Sequence, residues 1–128
     1  MTPSLSIVVV GFDMARELPR TVRSLLPPYQ RDIALSDIEI IVADSGSHEP
    51  VRRDDFPREA DITVLRVDDG GVSPCRAVNR AAALARGDHI AVVIDGARMA
   101  SPRLIRTALE AARIHPDPAD LAAPETKL

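Results

Sequence analysis

Ile7-Val8-Val9-Val10-Gly11 is an unbroken β-branched run that ends at a glycine. A strand with one wet face alternates apolar and polar residues, so a continuous run of this kind suits a strand buried on both faces of a parallel sheet. Working outward, Ile38 to Ala43 is a second, largely apolar run, closed by the turn formers Asp44-Ser45-Gly46-Ser47. Ile62 to Val67 is a third, interrupted by Thr63 and Arg66, which places it nearer the sheet edge, and Asp68-Asp69-Gly70-Gly71 breaks it. Ile90 to Ile94 supplies a fourth strand ending at Asp95.

Helical patterns fill the gaps. Pro19 suits a first helical position, and Leu18, Val22, Leu25 and Leu26 recur at helical spacing until Pro27 and Pro28 end the pattern. Glu49 to Ala60 carries only a weak helical signal. Ser73 as N-cap and Pro74 open a helix expected to run to Arg86, with Gly87 at C′ and a buried face of Cys75, Val78, Ala82 and Ala85. Ser101-Pro102 repeats the capping signature before Leu104, Ile105, Ala108, Leu109 and Ala112, and this last helix ends before Pro116. Alternating strands and helices with right-handed crossovers predict one α/β domain, mainly a parallel sheet with helices on both faces. That domain is expected over 1–114, with 115–128 a disordered or truncated tail, since Pro116, Pro118 and Pro124 fall there without periodicity.

Composition narrows the function. The chain has 128 residues, enough for one core, and Phe12, Tyr29 and Phe56 are its only aromatics, so the interior must be aliphatic. A formal net charge of -3, with both signs interleaved, gives no support to nucleic-acid or anionic-membrane binding. Cys75 is the single cysteine, which excludes an internal disulfide and fits a cytoplasmic setting. No apolar run approaches the length of a membrane span, and no signal peptide opens the chain.

Ligands of open parallel sheets bind beyond the carboxyl ends of the strands, where strand order reverses. Gly11-Phe12-Asp13, Asp44-Ser45-Gly46-Ser47 and Asp95-Gly96-Ala97 all follow strands and should meet along one edge. A carboxylate there suits base N–H groups, ribose hydroxyls or a divalent cation, making Asp44 and Asp95 candidates, although an isolated Asp at a strand end is commonly a turn or cap residue. Arg76 and Asn79, three apart on the predicted Ser73 helix, form a neighbouring pair able to meet a diphosphate; a solvated face shared with Arg80 and Arg86 explains Arg76 equally well. GxGxxG, GxxxxGK[ST] and GxSxG are all absent. His48, His89 and His115 lack metal-ligand spacing.

From Ser6 to Ala112 the sequence resembles glycosyltransferase family 2. The likeness rests on Ser6-Ile7-Val8-Val9-Val10 with its turn, on Glu39-Ile40-Ile41-Val42-Ala43-Asp44-Ser45-Gly46-Ser47, on Ala77-Val78-Asn79-Arg80 in a helix ending Ala85-Arg86-Gly87-Asp88, and on Ile94-Asp95. The resemblance implies a Rossmann-like GT-A fold that binds a nucleotide-diphosphate sugar and passes the sugar to the hydroxyl of an unidentified acceptor. It implies Phe12 and Asp13 in the turn over the base, Asp44 as the carboxylate that recognises it, Arg76 and Asn79 lining the donor pocket, and Asp95 as the first acid of the DxD motif. A divalent cation, Mn²⁺ or Mg²⁺, would then sit at Asp95. Ala97 replaces the second acid, which counts against metal dependence. Gly11 and Asp13 also depart from the family's commoner Pro-x-aromatic-Asn turn. The family's acceptor half and catalytic base would lie beyond Leu128, so an incomplete copy with no assignable base is expected. Two other readings stay open: a non-catalytic nucleotide-binding or regulatory module of the same fold, and an unrelated doubly wound domain such as a receiver.

Overall fold

The computed structural model describes residues 2–68, 74–94 and 99–114. Its elements run β1 (Leu5–Gly11), α1 (Leu18–Ser24), β2 (Ile38–Ser45), β3 (Ile62–Val67), α2 (Pro74–Leu84), β4 (His89–Ile94) and α3 (Leu104–Ile114). Short 3₁₀ turns lie at Leu35–Asp37 and Arg53–Asp55. Among the described residues the strands form one parallel sheet of order β3-β2-β1-β4. The chain moves outward from β1 to β2 and β3, then returns to the far side of β1, so strand order reverses between β1 and β4. As its mixed composition suggested, β3 is an edge strand.

Every residue of β1 and β2 is buried, as their largely apolar runs suit strands covered on both faces. On one face Ile7, Val9, Ile40 and Val42 pack with Leu18, Val22 and Leu25 from the α1 region and with Ile105 and Leu109 of α3. On the other, Val8, Val10, Ile41, Ala43 and Val67 pack with Ala77 and Ala81 of α2. At about 25 cal/mol per Å² of apolar surface removed from water, these two layers supply most of the driving force for folding. α2 leaves the β4 end of its face open, where Ile90, Val92 and Ile94 remain exposed.

The structure shifts several local expectations. α2 buries Ala77 and Ala81 completely, while Val78 and Ala85 sit at the margin and Cys75 is exposed. The stripe is rotated because two alanines one turn apart let the helix approach the sheet closely, which the larger Val78 would hinder. α2 also ends at Leu84 rather than Arg86. Gly87 is required by proximity: an added Cβ would lie 2.7 Å from the backbone nitrogen and Oγ of Ser6. α1 closes with the Leu25 N–H donating to Val22 and Arg23, and α3 begins at Leu104, later than its Ser101-Pro102 signal. The weak Glu49–Ala60 signal becomes the Arg53–Asp55 turn, where Arg53 donates to the carbonyls of Phe56 and Ala60. The expected Ser73 cap, the Gly70-Gly71 break, Asp95-Gly96-Ala97 and the tail from His115 lie outside the described residues.

Candidate functional site

Parallel strands bring their carboxyl ends to one edge, and register fixes how they align: Gly11 pairs with Asp44, Asp44 with Arg66, and Val10 with Ile94. The segments after β1, β2 and β3 therefore begin side by side. Asp13 adopts φ 54°, a left-handed conformation uncommon for a residue with a side chain, and Gly46 adopts φ 73°. Those two reversals turn the loops toward each other.

The loops are bonded together. Asp13 N–H donates to Ser47 Oγ at 2.8 Å, and Asp13 Oδ1 accepts the backbone N–H of His48 at 2.8 Å. His48 Nδ1 lies 3.2 and 3.1 Å from Asp13 Oδ1 and Oδ2. The backbone N–H of His48 is the main cause holding the Asp13 carboxyl below its ordinary value; slight desolvation opposes it, and the imidazole assists. Phe12 meets the His48 ring edge to face, with centroids 6.4 Å apart and planes at 60°. Both rings are exposed.

Asp44 is the buried anchor of this cluster, its side chain 1% exposed. Its Oδ1 accepts Ser47 N–H at 3.2 Å and its Oδ2 accepts Val51 N–H at 3.0 Å. Arg66 Nη1 stands 3.7 Å from Oδ2, while Nη2 donates to the Ser47 carbonyl at 2.9 Å and Nε to Asp68 at 2.7 Å. A buried carboxylate with two backbone donors and a guanidinium is well satisfied and holds its loop in one shape.

The structure thus joins Phe12, Asp13 and Asp44, and adds Ser47, His48 and Arg66. Arg66 had shown itself only as a charge breaking an apolar run, and His48 only as a histidine without metal spacing. Arg76 and Asn79 are exposed on α2, in the half of the helix nearest this edge, without a hydrogen bond to the loop cluster. Asp95 and Ala97 fall outside the described residues. Among those described, no group of three or more His, Cys, Asp or Glu side chains is arranged to hold a metal ion. No described helix is long and apolar enough to cross a membrane.

Comparison with solved structures shows the same fold. S. aureus TarS, residues 1–349, matches with TM-score 0.72 and 17% identity over 88% of this chain and 33% of that one. The same region in complex with UDP gives 0.70 and 18%, and in complex with UDP-GlcNAc 0.72 and 17%, each over 88% of this chain and 32% of that one. The chain therefore spans about a third of the length of these TarS structures. No curated protein matches it. The model of glycosyl transferase family 2 matches residues 6–119, nearly the whole chain, and the protein belongs to that family.

Proposed function

We propose that this chain binds a nucleotide-diphosphate sugar at the carboxyl edge of its sheet and presents it for transfer to an acceptor hydroxyl. The observation that carries this reading is the locked pair of loops after β1 and β2, built around buried Asp44 at the edge where open α/β sheets bind ligands. Family membership and the UDP and UDP-GlcNAc complexes of the similarly folded TarS support it.

In this reading Phe12 offers its exposed ring to the base, and Asp13 and Asp44 hold the surrounding loops in the receiving shape. Asp44 also serves as the carboxylate that recognises the base, the role the family resemblance implies for it. Arg76 meets the diphosphate and stabilises the charge that builds on it as the anomeric C–O bond breaks, with Asn79 beside it, and the family resemblance gives Asp95 the ribose. The acceptor oxygen forms the new bond to the anomeric carbon, and its proton goes to a base that no described residue is assigned to provide. A second reading, a nucleotide-binding module without transfer, is favoured by Ala97 at the position of the second acid.

Titration of UDP, GDP and their sugar conjugates, with and without Mn²⁺, followed by heat of binding and thermal midpoint, tests the proposal. Saturable binding of one nucleotide supports donor binding. Strengthening by Mn²⁺ favours the transferase, and metal-independent binding favours the module. Absence of binding to every nucleotide overturns the donor-binding reading.

A further inference from the structure

The two edges of the sheet are built differently. β3, at one edge, exposes Thr63 and Arg66, and Arg66 is paired with Asp68 and Asp44. Charged side chains of this kind keep an edge strand from pairing with another chain. β4, at the other edge, pairs with β1 alone among the described strands, in unbroken register from His89 to Ile94. It contains no Asp, Glu, Lys, Arg or Pro. Its inner row, Ala91 and Val93, packs on the core, while Ile90, Val92 and Ile94 are 49%, 40% and 54% exposed on the α2 face. A regular, uncharged edge with an apolar row beside it is a template for a further strand.

The composition of that strand can be narrowed. Residues 115–128 hold Pro116, Pro118 and Pro124, which lack the N–H a ladder needs, and their longest apolar run is Leu121-Ala122-Ala123. That run is shorter than the 6 residues of β4. A second copy of β4 has the matching free edge, the matching apolar row and no like charge to repel. We propose that two copies of this chain pair edge to edge through β4, antiparallel about a two-fold axis perpendicular to the sheet, which joins two 4-stranded sheets into one. An axis at Val92 sets that residue against its own copy and Ile90 against Ile94 of the partner subunit, so both rows lie on the α2 face and cover each other. A contact of this extent is at the small end of specific interfaces, which puts its dissociation constant at about 10 µM.

Sedimentation of the full 128-residue chain between about 1 and 200 µM tests the pairing. The wild type is expected to pass from monomer to dimer across that range. Val92→Lys sets two ammonium groups against each other at the axis and should weaken dimerisation by about tenfold or more. At the lowest concentration, where both are monomeric, its thermal midpoint should match the wild type, because Val92 is exposed. Cross-linking reads the register in a Cys75→Ser background, which removes the single native thiol. Val92→Cys should oxidise to a disulfide-linked dimer. Ile90→Cys should not, because the two positions would lie about 13 Å apart along the strands, beyond the reach of a disulfide. A chain that stays monomeric at about 200 µM overturns the proposal. So does a dimer that Val92→Lys leaves intact, or cross-linking of Ile90→Cys as readily as Val92→Cys.

Discussion

Arg86 meets Glu39 across 47 positions of sequence through three hydrogen bonds: its backbone N–H donates to Oε1 at 2.5 Å, and its Nε and Nη2 donate to Oε2 at 3.0 and 2.8 Å. Ser6 Oγ donates to the same Oε1 at 2.5 Å, and Gly87 N–H donates to Ser6 Oγ at 2.8 Å. Arg86 also pairs with Asp61. This clasp ties the exit of α2 to the amino-terminal ends of β1 and β2, opposite the candidate site. Glu39 is buried within the sheet, so Glu39→Gln removes the buried charge of the clasp and leaves Arg86 with Asp61 as its remaining carboxylate partner. A loss of about 2–4 kcal/mol is expected, read as a thermal midpoint lower by roughly 10 °C or more. Nucleotide affinity of the folded fraction should be unchanged.

The same clasp predicts an acid limit. Burial pushes the Glu39 carboxyl up, but the Arg86 N–H, the Ser6 hydroxyl and the Arg86 guanidinium together outweigh it and hold the group below its ordinary value of 4.5. A carboxyl with a depressed folded-state pKa binds protons more readily when unfolded. Its contribution is therefore complete above that ordinary value and is lost as pH falls through the lower folded value. Thermal melts of wild type and Glu39→Gln should differ by a constant amount from pH 8 to about 5.5 and converge at lower pH. A gap that widens in acid would overturn this account.

Gly87→Ala should destabilise without touching the site. The new Cβ would sit 2.7 Å from Ser6 N and 2.9 Å from Leu5 C, both backbone atoms that cannot rotate away. Overpacking of this kind costs about 1–3 kcal/mol, and the melt should register it even if nucleotide titrations do not change.

The strands were legible because β-branched runs bounded by turn formers have few other uses, and parallel order followed from their alternation with helices. The buried side of α2 was harder to read. Ala77, Ala81, Ala82, Ala83 and Ala85 are too alike for periodicity to set the helix's rotation, and contact with Val8 and Ile41 chose it. Glu39 within an apolar run gave no local sign of burial, because its partner Arg86 reads alone as an exposed helix residue. At the site, Asp44 was found by its place after a strand, while its engagement with Val51 and Arg66 depends on a loop path that spacing does not encode.

Asp44→Ala tests that engagement. It removes the acceptor for Ser47 and Val51 N–H and the charge opposite Arg66, all around a buried position. About 2–4 kcal/mol should be lost, together with nucleotide affinity. Asp44→Asn keeps the volume and one acceptor and should fall between the two in both measurements. Full stability in Asp44→Ala would contradict the anchor role.

Arg66 separates loop shape from fold stability. It is partly exposed, so its ion pairs with Asp68 and Asp44 should contribute about 1 kcal/mol or less to the melt. Its larger effect is geometric: one planar guanidinium reaches Asp68, the Ser47 carbonyl and the Asp44 carboxylate in three directions. A lysine keeps the charge and reaches fewer of them at once. Arg66→Lys should therefore melt close to wild type yet exchange the Ser47 and Val51 amide protons faster, because the loop opens locally. If the loop forms the donor site, nucleotide affinity should fall in the order wild type, Arg66→Lys, Arg66→Ala, while the thermal midpoints stay within a few degrees. Unchanged amide exchange in Arg66→Ala would show that Asp44 alone holds the loop.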